Sequence, residues 1–164
     1  QAQKHDIASY DHIIMSYHGL PDRHVDKVYE GDNLCQDQHC DERVDDNNKH
    51  CYKATAYETS RLLAEKMGLD TKDYTTTFQS RLDDKWLTPF SDEVIEDLAK
   101  EGKKRLLVFS PAFVADCLET LIEIGSEYQE IFEEHGGELV QLVESCNTEE
   151  VWVQGLADRI RQSS

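Results

Sequence analysis

The sequence predicts an α/β fold, a three-layer domain of the Rossmann type in which helices flank a four-stranded parallel sheet. Three observations carry this prediction. Four short apolar runs have the length and composition of strands, longer amphipathic patterns fill the gaps between them, and the two kinds of segment alternate along the chain. Such alternation favours parallel strands joined by right-handed crossovers. With 164 residues, the chain is expected to form a single domain, residues 1–164.

The predicted strands are apolar runs bounded by polar or turn-forming residues, and they occupy residues 12–17, 74–79, 105–109 and 139–143. Alternation alone leaves the order of these strands in the sheet open.

The predicted helices have recognisable ends. Gly68 is suited to stop the first helix, and Ser91 has the hydroxyl of an N-cap for the second. Gly136 follows the third, and Asn147 with Glu150 fits a capping box at the start of the fourth. The predicted helices cover about residues 47–67, 91–101, 116–134 and 147–161.

The chain is strongly acidic, with a formal net charge of −17 from 34 acidic and 17 basic residues. This balance excludes nucleic acid as an expected partner, because phosphate backbones are bound by basic patches. No apolar run approaches the roughly 20 residues of a spanning helix, so no transmembrane segment is predicted. Five cysteines, an odd number, and the lack of a secretory signal favour a reducing cytoplasmic location, with peripheral membrane association left open.

His18 lies just past the first predicted strand, in the sequence SYHGLP at residues 16–21. In open α/β sheets, ligands bind beyond the carboxyl ends of the strands. A neutral imidazole is a common metal ligand and titrates near neutral pH, so His18 is a candidate for both metal contact and proton transfer. The alternative is a histidine whose ring is satisfied by the backbone of the loop.

A row of carboxylates follows the third strand. Glu119, Glu123 and Glu127 recur at every fourth position of the third predicted helix, which Asp116 opens. Like charges at this spacing cost about 0.2–0.5 kcal/mol per pair, so the row is unfavourable unless a cation passes along it. The alternatives are a solvated acidic face and a capping box made by Asp116 and Glu119. The opposite side of the helical wheel holds Leu121, Gly125, Tyr128 and Phe132.

The segment FQSR at residues 78–81 leaves the second strand and is followed by Trp86. An arginine and an exposed tryptophan near the mouth of a cleft suit a flat, anionic, aromatic ligand. The alternative places Trp86 in the core and Arg81 on the surface.

A polar loop is predicted to insert residues 22–46 before the first helix, and it contains Cys35 and Cys40. Cys51 follows the loop and completes the spacing C-x4-C-x10-C. Loops of this length are usually functional. Thiolate groups of this kind bind zinc or iron–sulfur centres, and both usually take four protein ligands. His39 or His50 would complete a zinc site, and Asp41 or a cysteine from elsewhere would complete a cluster. The alternative is three unliganded thiols.

Together these motifs resemble ferrochelatase, the enzyme that inserts Fe²⁺ into a porphyrin at the end of haem synthesis. The resemblance runs from about Tyr10 to Ile160 and rests on three segments in order: SYHGLP at residues 16–21, FQSR with WLTP at 78–89, and SPAFVADCLETLIEI at 110–124. One such motif would be weak evidence, whereas three with these spacings are specific.

The resemblance is to the C-terminal half of the enzyme, whose two similar α/β domains hold the porphyrin between them. It implies a chelatase-like second domain, in keeping with a chain that begins at Gln1 rather than methionine. The implied partners are the porphyrin and the N-terminal half, which supplies the other wall of the cleft. The domain alone is expected to have little or no activity.

The resemblance also implies roles for individual residues. His18 faces the macrocycle, where it takes pyrrole protons or contacts the metal, and Glu119 is its acidic partner in catalysis. Glu123 and Glu127 continue a line of carboxylates that carries metal or protons, on a helix with a π-type widening. Such widenings are rare and often functional.

Fe²⁺ is the implied metal substrate, and protoporphyrin IX and coproporphyrin III are the candidate porphyrins. Asp116 and Trp86 are implied to lie in the substrate-binding pocket.

Some bacterial members of the family are similar in carrying cysteines in an internal insertion that bind a [2Fe–2S] cluster. The resemblance therefore makes three residues candidate ligands of an iron–sulfur cluster: Cys35, Cys40 and Cys51. Those insertions supply four cysteines, whereas this chain has three.

Two other functions are considered. A related chelatase would insert cobalt or nickel into another tetrapyrrole, but the WLTP and CLETL segments favour iron and porphyrin. A metal-binding or redox-sensing module built on the three cysteines is the alternative from a different class.

Overall fold

In the computed structural model, which describes Gln1 and residues 4–163, four parallel strands form one sheet with helices on both faces. The predicted fold class is therefore confirmed. The sheet has the order β2-β1-β3-β4, where the strands are β1 (His12–His18), β2 (Tyr74–Gln79), β3 (Arg105–Phe109) and β4 (Leu139–Leu142). Strand β1 includes one residue more than predicted, and β4 ends one residue earlier.

The helices alternate with the strands as the sequence predicts. They are α1 (Asp22–Val25), α2 (Tyr52–Met67), α3 (Ser91–Lys100), a π-helix (Glu119–Glu127) that continues directly as α4 (Tyr128–Glu134), and α5 (Glu150–Gln162). Within the part of the chain that the structure describes, no helix has both the length and the apolar character that crossing a membrane requires.

The sheet has a hydrophobic core on each face, because successive strand residues point to opposite sides. From β1, Met15 and Tyr17 pack with Phe78 against α2. Ile14, which points the other way, packs with Val108 against α3 and α4. The two cores fix the sheet between its helical layers and leave the carboxyl ends of β1 and β2 side by side at one edge.

Two predicted helix starts are wrong, and near each of them an asparagine makes hydrogen bonds outside the helix. Helix α2 begins at Tyr52 rather than near residue 47, since buried Asn48 donates its side-chain amide to the Arg43 carbonyl oxygen over 2.9 Å. Helix α5 has Glu149 as its N-cap, and the predicted capping box is absent there. Asn147 adopts a left-handed φ of 46° and contacts the segment before the π-helix instead.

The predicted N-cap of α3 is also wrong. Phe90 occupies the cap position, and Ser91 is the buried first residue of the helix. Its hydroxyl lies 2.9 Å from Ser16 Oγ and 2.7 Å from Thr77 Oγ1, which joins the helix start to β1 and β2. The prediction for Gly68 holds, because this residue ends α2 with a left-handed φ of 70°.

The polar loop at residues 22–46 contains regular structure. It starts with α1 and includes 3₁₀ turns at Asp26–Val28 and Cys35–Asp37. Val25 of this loop is buried in the same core as Met15, so the insertion is packed onto the α2 face of the sheet.

Candidate active site

His18 is the last residue of β1 and pairs in register with Gln79 at the end of β2. Its Nδ1 lies 2.7 Å from the carbonyl oxygen of Gly19, which can only accept a hydrogen bond. The proton of the neutral ring therefore sits on Nδ1, and Nε2 keeps a lone pair for a proton or a metal ion. The half-buried ring packs beside Trp86 and Phe113, with ring centroids 6.4 and 6.2 Å away.

The backbone around His18 is held from two sides. Tyr52 donates its hydroxyl to the His18 carbonyl oxygen over 2.9 Å, and Gly19 N donates to the Gln79 carbonyl oxygen over 2.7 Å. A Cβ on Gly19 would lie 2.9 Å from that oxygen and 3.2 Å from the Trp86 ring. The close approach requires glycine, and it sets the position of the imidazole that precedes it.

Glu119 is the first residue of the π-helix and lies near His18. Hydrogen bonds from the Cys117 side chain and from its own backbone amide lower the pKa of the Glu119 carboxyl, and the nearby His18 lowers it further. The carboxylate is thus ionised at neutral pH beside the imidazole. Glu119 lies at the same edge of the sheet as His18, because Gln79, which pairs with His18, donates to the Glu119 carbonyl oxygen over 2.7 Å.

Glu123 has its carboxylate enclosed by donors. Oε1 accepts from Ser80 N over 2.7 Å and from the Tyr128 hydroxyl over 2.9 Å. Oε2 accepts from Gln79 Nε2 over 3.1 Å and from the Ser80 hydroxyl. Burial, and then the charge of Glu123, raise the pKa of Tyr128, which therefore remains a donor. Ser80 has a left-handed φ of 61°, and this turn directs both of its donors at the carboxylate.

Behind Glu123, a chain of buried hydrogen bonds connects the π-helix to the sheet. Gln79 also donates from Nε2 to the Glu119 carbonyl oxygen over 2.7 Å and accepts the Ser16 hydroxyl at Oε1 over 2.8 Å. Ser16 in turn contacts Ser91. The ends of β1 and β2 thus fix the start of the helix that carries the carboxylates.

The three predicted carboxylates share one surface. Glu119, Glu123 and Glu127 line a shallow groove of about 350 Å³ together with Leu118 and Ile122. The side of this helix opposite the carboxylates is only partly buried, since Leu121 in the π-helical segment is exposed. The residues buried in the structure are Thr120, Ile124, Tyr128 and Phe132.

Asp116 lies before the π-helix and does not cap it together with Glu119. Its carboxylate accepts Ser145 N over 3.0 Å and Asn147 Nδ2 over 2.7 Å, and its own backbone N–H donates to Asn147 Oδ1 over 2.9 Å. The hydrogen bond from Asn147, followed by those from Ser145, lowers the pKa of Asp116. These contacts join the loop after β3 to the loop after β4.

Arg81 is not available to an anionic ligand in the way the sequence suggests. Its guanidinium pairs with Asp92 over 2.9 Å and Glu93 over 3.0 Å, and it stacks 3.9 Å from the centroid of the Phe90 ring. Trp86 is half-buried and packs on His18, so it is neither a core residue nor a free surface side chain.

The three loop cysteines converge into a compact triangle. The Sγ separations are 3.7 Å for Cys35–Cys40, 3.5 Å for Cys35–Cys51 and 3.6 Å for Cys40–Cys51. All three are buried, and the Tyr29 hydroxyl lies 3.1 Å from Cys40 Sγ. Among the described residues, no histidine or carboxylate joins them as a fourth candidate ligand. The predicted fourth ligands, His39 and His50 for zinc and Asp41 for a cluster, are exposed.

Cys51 is the cysteine of the three whose surroundings favour the thiolate form. Cys51 is the N-cap residue of α2, where backbone N–H groups favour negative charge. The contact with Cys35 Sγ is the largest cause that lowers the pKa of Cys51, to about 5. The pKa of Cys35 is raised by its bond to Cys51, and that of Cys40 by burial.

The triangle fits one metal ion better than a two-iron cluster. With metal–sulfur bonds of about 2.3 Å, two thiolates on one tetrahedral ion lie about 3.8 Å apart. A [2Fe–2S] cluster takes two cysteines on each of two irons, so a third cysteine must lie on the other iron, at a longer distance. Three nearly equal separations of 3.5–3.7 Å do not match that arrangement.

The sequence did not identify several groups that hold the site in place. Glu123 accepts hydrogen bonds from Gln79, Ser80 and Tyr128. Tyr52 donates to the His18 carbonyl oxygen, and Asn147 donates to the Asp116 carboxylate. Ser80 directly follows β2, and this position would have indicated a place in the site. The indication depends on β2 lying next to β1, and the sequence leaves the strand order open.

The comparisons with known proteins agree on a family. A family model described as Ferrochelatase matches residues 1–164. Ferrochelatase from Pseudomonas fluorescens (strain Pf0-1) is 42% identical over 159 residues, which cover 95% of this chain and 47% of that protein. Ferrochelatase from Coxiella burnetii (strain Dugway 5J108-111) is 40% identical over 93% of this chain and 44% of that protein. The chain spans about half the length of the curated relatives it matches.

A solved structure supports the fold alone. A CbiX protein of cobalamin (vitamin B12) biosynthesis from Marinobacter aquaeolei VT8 superposes with a TM-score of 0.51 at 16% sequence identity, over 93% of this chain and 95% of that one.

Proposed function

Because the chain belongs to the ferrochelatase family, we propose that it forms one wall of a site that inserts Fe²⁺ into a porphyrin. The observation that carries the proposal is the pairing of His18 and Glu119 at the carboxyl edge of the sheet. The Nδ1 of His18 faces the Gly19 carbonyl oxygen, which leaves Nε2 for a proton or a metal ion, and Glu119 has a carboxyl with a lowered pKa. Both stand where ligands bind in open α/β sheets.

The chemistry of metal insertion needs a base and weak ligands at the same place. Two pyrrole N–H protons leave the macrocycle while a divalent cation arrives, and Nε2 of His18 can accept a proton or contact the metal. Imidazole and carboxylate both bind Fe²⁺ without holding it irreversibly. Glu119 would stabilise the imidazolium that forms, as the adjacent negative charge.

The carboxylate groove provides a supply route for the cation or an exit for the protons. Glu119 and Glu127 both line it, and Glu127 is exposed to solvent. Glu123 remains a predicted metal ligand, but its four hydrogen bonds favour a role in holding the groove in shape. The half-buried ring of Trp86 would face the porphyrin next to His18, and Asp116 would support the pocket through its two loops.

The other wall of the porphyrin site is proposed to come from the N-terminal half of the same enzyme. Its absence would leave the isolated chain with little or no activity, because only one face of the macrocycle would be covered. Adding the separately produced N-terminal half to this chain should then restore iron insertion. A cytoplasmic enzyme is proposed, in keeping with an odd number of cysteines.

The decisive experiment measures iron insertion by the full-length protein carrying His18→Ala or Glu119→Ala. Each substitution is expected to lower the rate strongly, while Glu134→Ala, an exposed glutamate at the end of α4, should leave it unchanged. Activity that survives both site substitutions would contradict the proposal. Cobalt or nickel insertion in preference to iron would favour the alternative chelatase.

A [2Fe–2S] cluster on Cys35, Cys40 and Cys51 is a separate proposal that the resemblance suggests. It needs a fourth ligand from elsewhere, and the sulfur separations argue against it. Anaerobic reconstitution with iron and sulfide, followed by an absorption spectrum, tests it, and a colourless product without bound iron would refute it. Loss of activity on replacing these cysteines alone would instead favour the metal-binding or redox-sensing module.

A further inference from the structure

We propose that Cys35, Cys40 and Cys51 bind a single Zn²⁺ ion, with a water molecule in the fourth position, instead of an iron–sulfur cluster. This inference goes beyond iron insertion and does not depend on it, because the sulfurs belong to the insertion loop and the start of α2 rather than to the carboxylate groove. Three thiolates and one open position make a recognised class of tetrahedral zinc site.

The geometry supports one ion because the three sulfurs are mutually equidistant. Their separations of 3.5, 3.6 and 3.7 Å are close to the edge of about 3.8 Å expected for thiolates on one zinc ion. They therefore form one triangular face, and an ion seated on it would gain all three ligands at once without a rearrangement of the backbone.

The electrostatics also favour a cation. The three sulfurs are buried within 3.7 Å of one another, and three thiolates held this close repel one another unless a cation lies between them. Among the described residues, no lysine or arginine is paired with any of the three sulfurs. Thiolate ligands bind Zn²⁺ more tightly than Fe²⁺, and the usual order of affinities for divalent metal ions has the same direction.

The surroundings resemble those of a supported metal site. The Tyr29 hydroxyl lies 3.1 Å from Cys40 Sγ, and the Cys35 backbone N–H donates to Asp26 Oδ1 over 2.8 Å. Such outer contacts orient the ligands. Cys35 also lines a cavity of about 340 Å³ with Asp26 and Trp86, so open space borders the triangle at this cysteine.

The ion would join the insertion loop to the site of the proposed reaction. Cys35 and Cys40 belong to the loop, whereas Cys51 precedes Tyr52, whose hydroxyl holds the His18 carbonyl oxygen. Binding would therefore order the loop against α2 and steady the backbone of His18.

The test titrates the chain, freed of metal under anaerobic reducing conditions, with Co²⁺ as a spectroscopic substitute for Zn²⁺. We expect the strong visible bands and the sulfur-to-cobalt charge-transfer band of a tetrahedral thiolate site, saturating at one cobalt per chain. One equivalent of Zn²⁺ should then remove them. Saturation at a different ratio, or the weak spectrum of octahedral cobalt, would overturn the proposal.

Two further measurements separate this site from a cluster and from misfolding. Reconstitution of the same chain with iron and sulfide should give no stoichiometric cluster, and two irons with two sulfides per chain would overturn the proposal. Cys35→Ser, Cys40→Ser and Cys51→Ser should each lose the cobalt bands, whereas Cys146→Ser, a cysteine after β4, should keep them. Because the wild-type titration needs no variant, a misfolded variant does not affect the outcome.

Discussion

Replacing Glu123 by glutamine isolates the hydrogen bonds that hold the carboxylate groove. Each carboxylate oxygen accepts one N–H and one O–H donor: Ser80 N with the Tyr128 hydroxyl at Oε1, and Gln79 Nε2 with the Ser80 hydroxyl at Oε2. Glutamine turns one oxygen into an amide nitrogen, which is itself a donor. The hydroxyl at that position can rotate and accept, but the N–H cannot, so one N–H donor is left facing another in either orientation.

The expected cost follows from this count. A hydrogen bond to a charged group contributes about 1.5–3 kcal/mol, and an unsatisfied buried donor costs about 1–3 kcal/mol. Because the Glu123 side chain is only partly buried, we expect Glu123→Gln to lower the free energy of unfolding by about 2.5–3 kcal/mol, near the lower end of the sum of these two ranges. Any glutamate-to-glutamine change on this helix also removes one negative charge. A second variant is therefore needed to separate the effect of the lost charge from the effect of the lost hydrogen bonds.

Glu127→Gln supplies that control. Glu127 lies four residues further along the same groove and is exposed, with no side-chain hydrogen bond to the described residues. Urea unfolding followed by far-ultraviolet circular dichroism gives the free energy of each variant, and Glu127→Gln should match the wild type. Equal effects of the two substitutions would refute the reasoning, since they would show that Glu123 matters only as one charge in a repulsive row.

Two other perturbations follow from the same structure. Asp116 has a lowered pKa, so its stabilising contribution is complete above the unfolded pKa of about 3.9 and is lost as the pH falls through the lower folded pKa. Asp116→Asn places an amide opposite the Asn147 amide, and thermal unfolding should show it to be less stable than the wild type at pH 7. The difference in stability should narrow below about pH 4, and a difference that stays constant with pH would contradict this. Gly19→Ala should lower the free energy of unfolding by about 1–3 kcal/mol, because its Cβ would lie 2.9 Å from the Gln79 carbonyl oxygen. Gly155→Ala in α5 should raise it by about 0.5–1 kcal/mol, because no atom lies within 4 Å of the new Cβ. Changes of the same sign in urea unfolding would contradict this.

The elements with strong local signals agreed between sequence and structure. The four strands fall where apolar runs are bounded by polar residues, and Gly68 ends α2 because a left-handed residue there favours glycine. The elements that differed are those in which a polar side chain had two candidate partners. Ser91 and Asn147 have the chemistry of caps, but each bonds to a distant segment that local sequence does not reveal. Asn48 bonds within its own loop, to the Arg43 carbonyl oxygen, and so lies outside the helix.

The sequence by itself determined the fold class, the motifs and the residue types of the candidate site, because these depend on periodicity and on local chemistry. Only the tertiary structure decided which of those residues meet. The order β2-β1-β3-β4 places the end of β1 beside that of β2, and the π-helix then brings Glu119 to His18 while Ser80 and Gln79 enclose Glu123. The triangle of cysteine sulfurs likewise exists only after the loop packs on α2, since contacts between residues far apart in the chain depend on packing that no local pattern encodes.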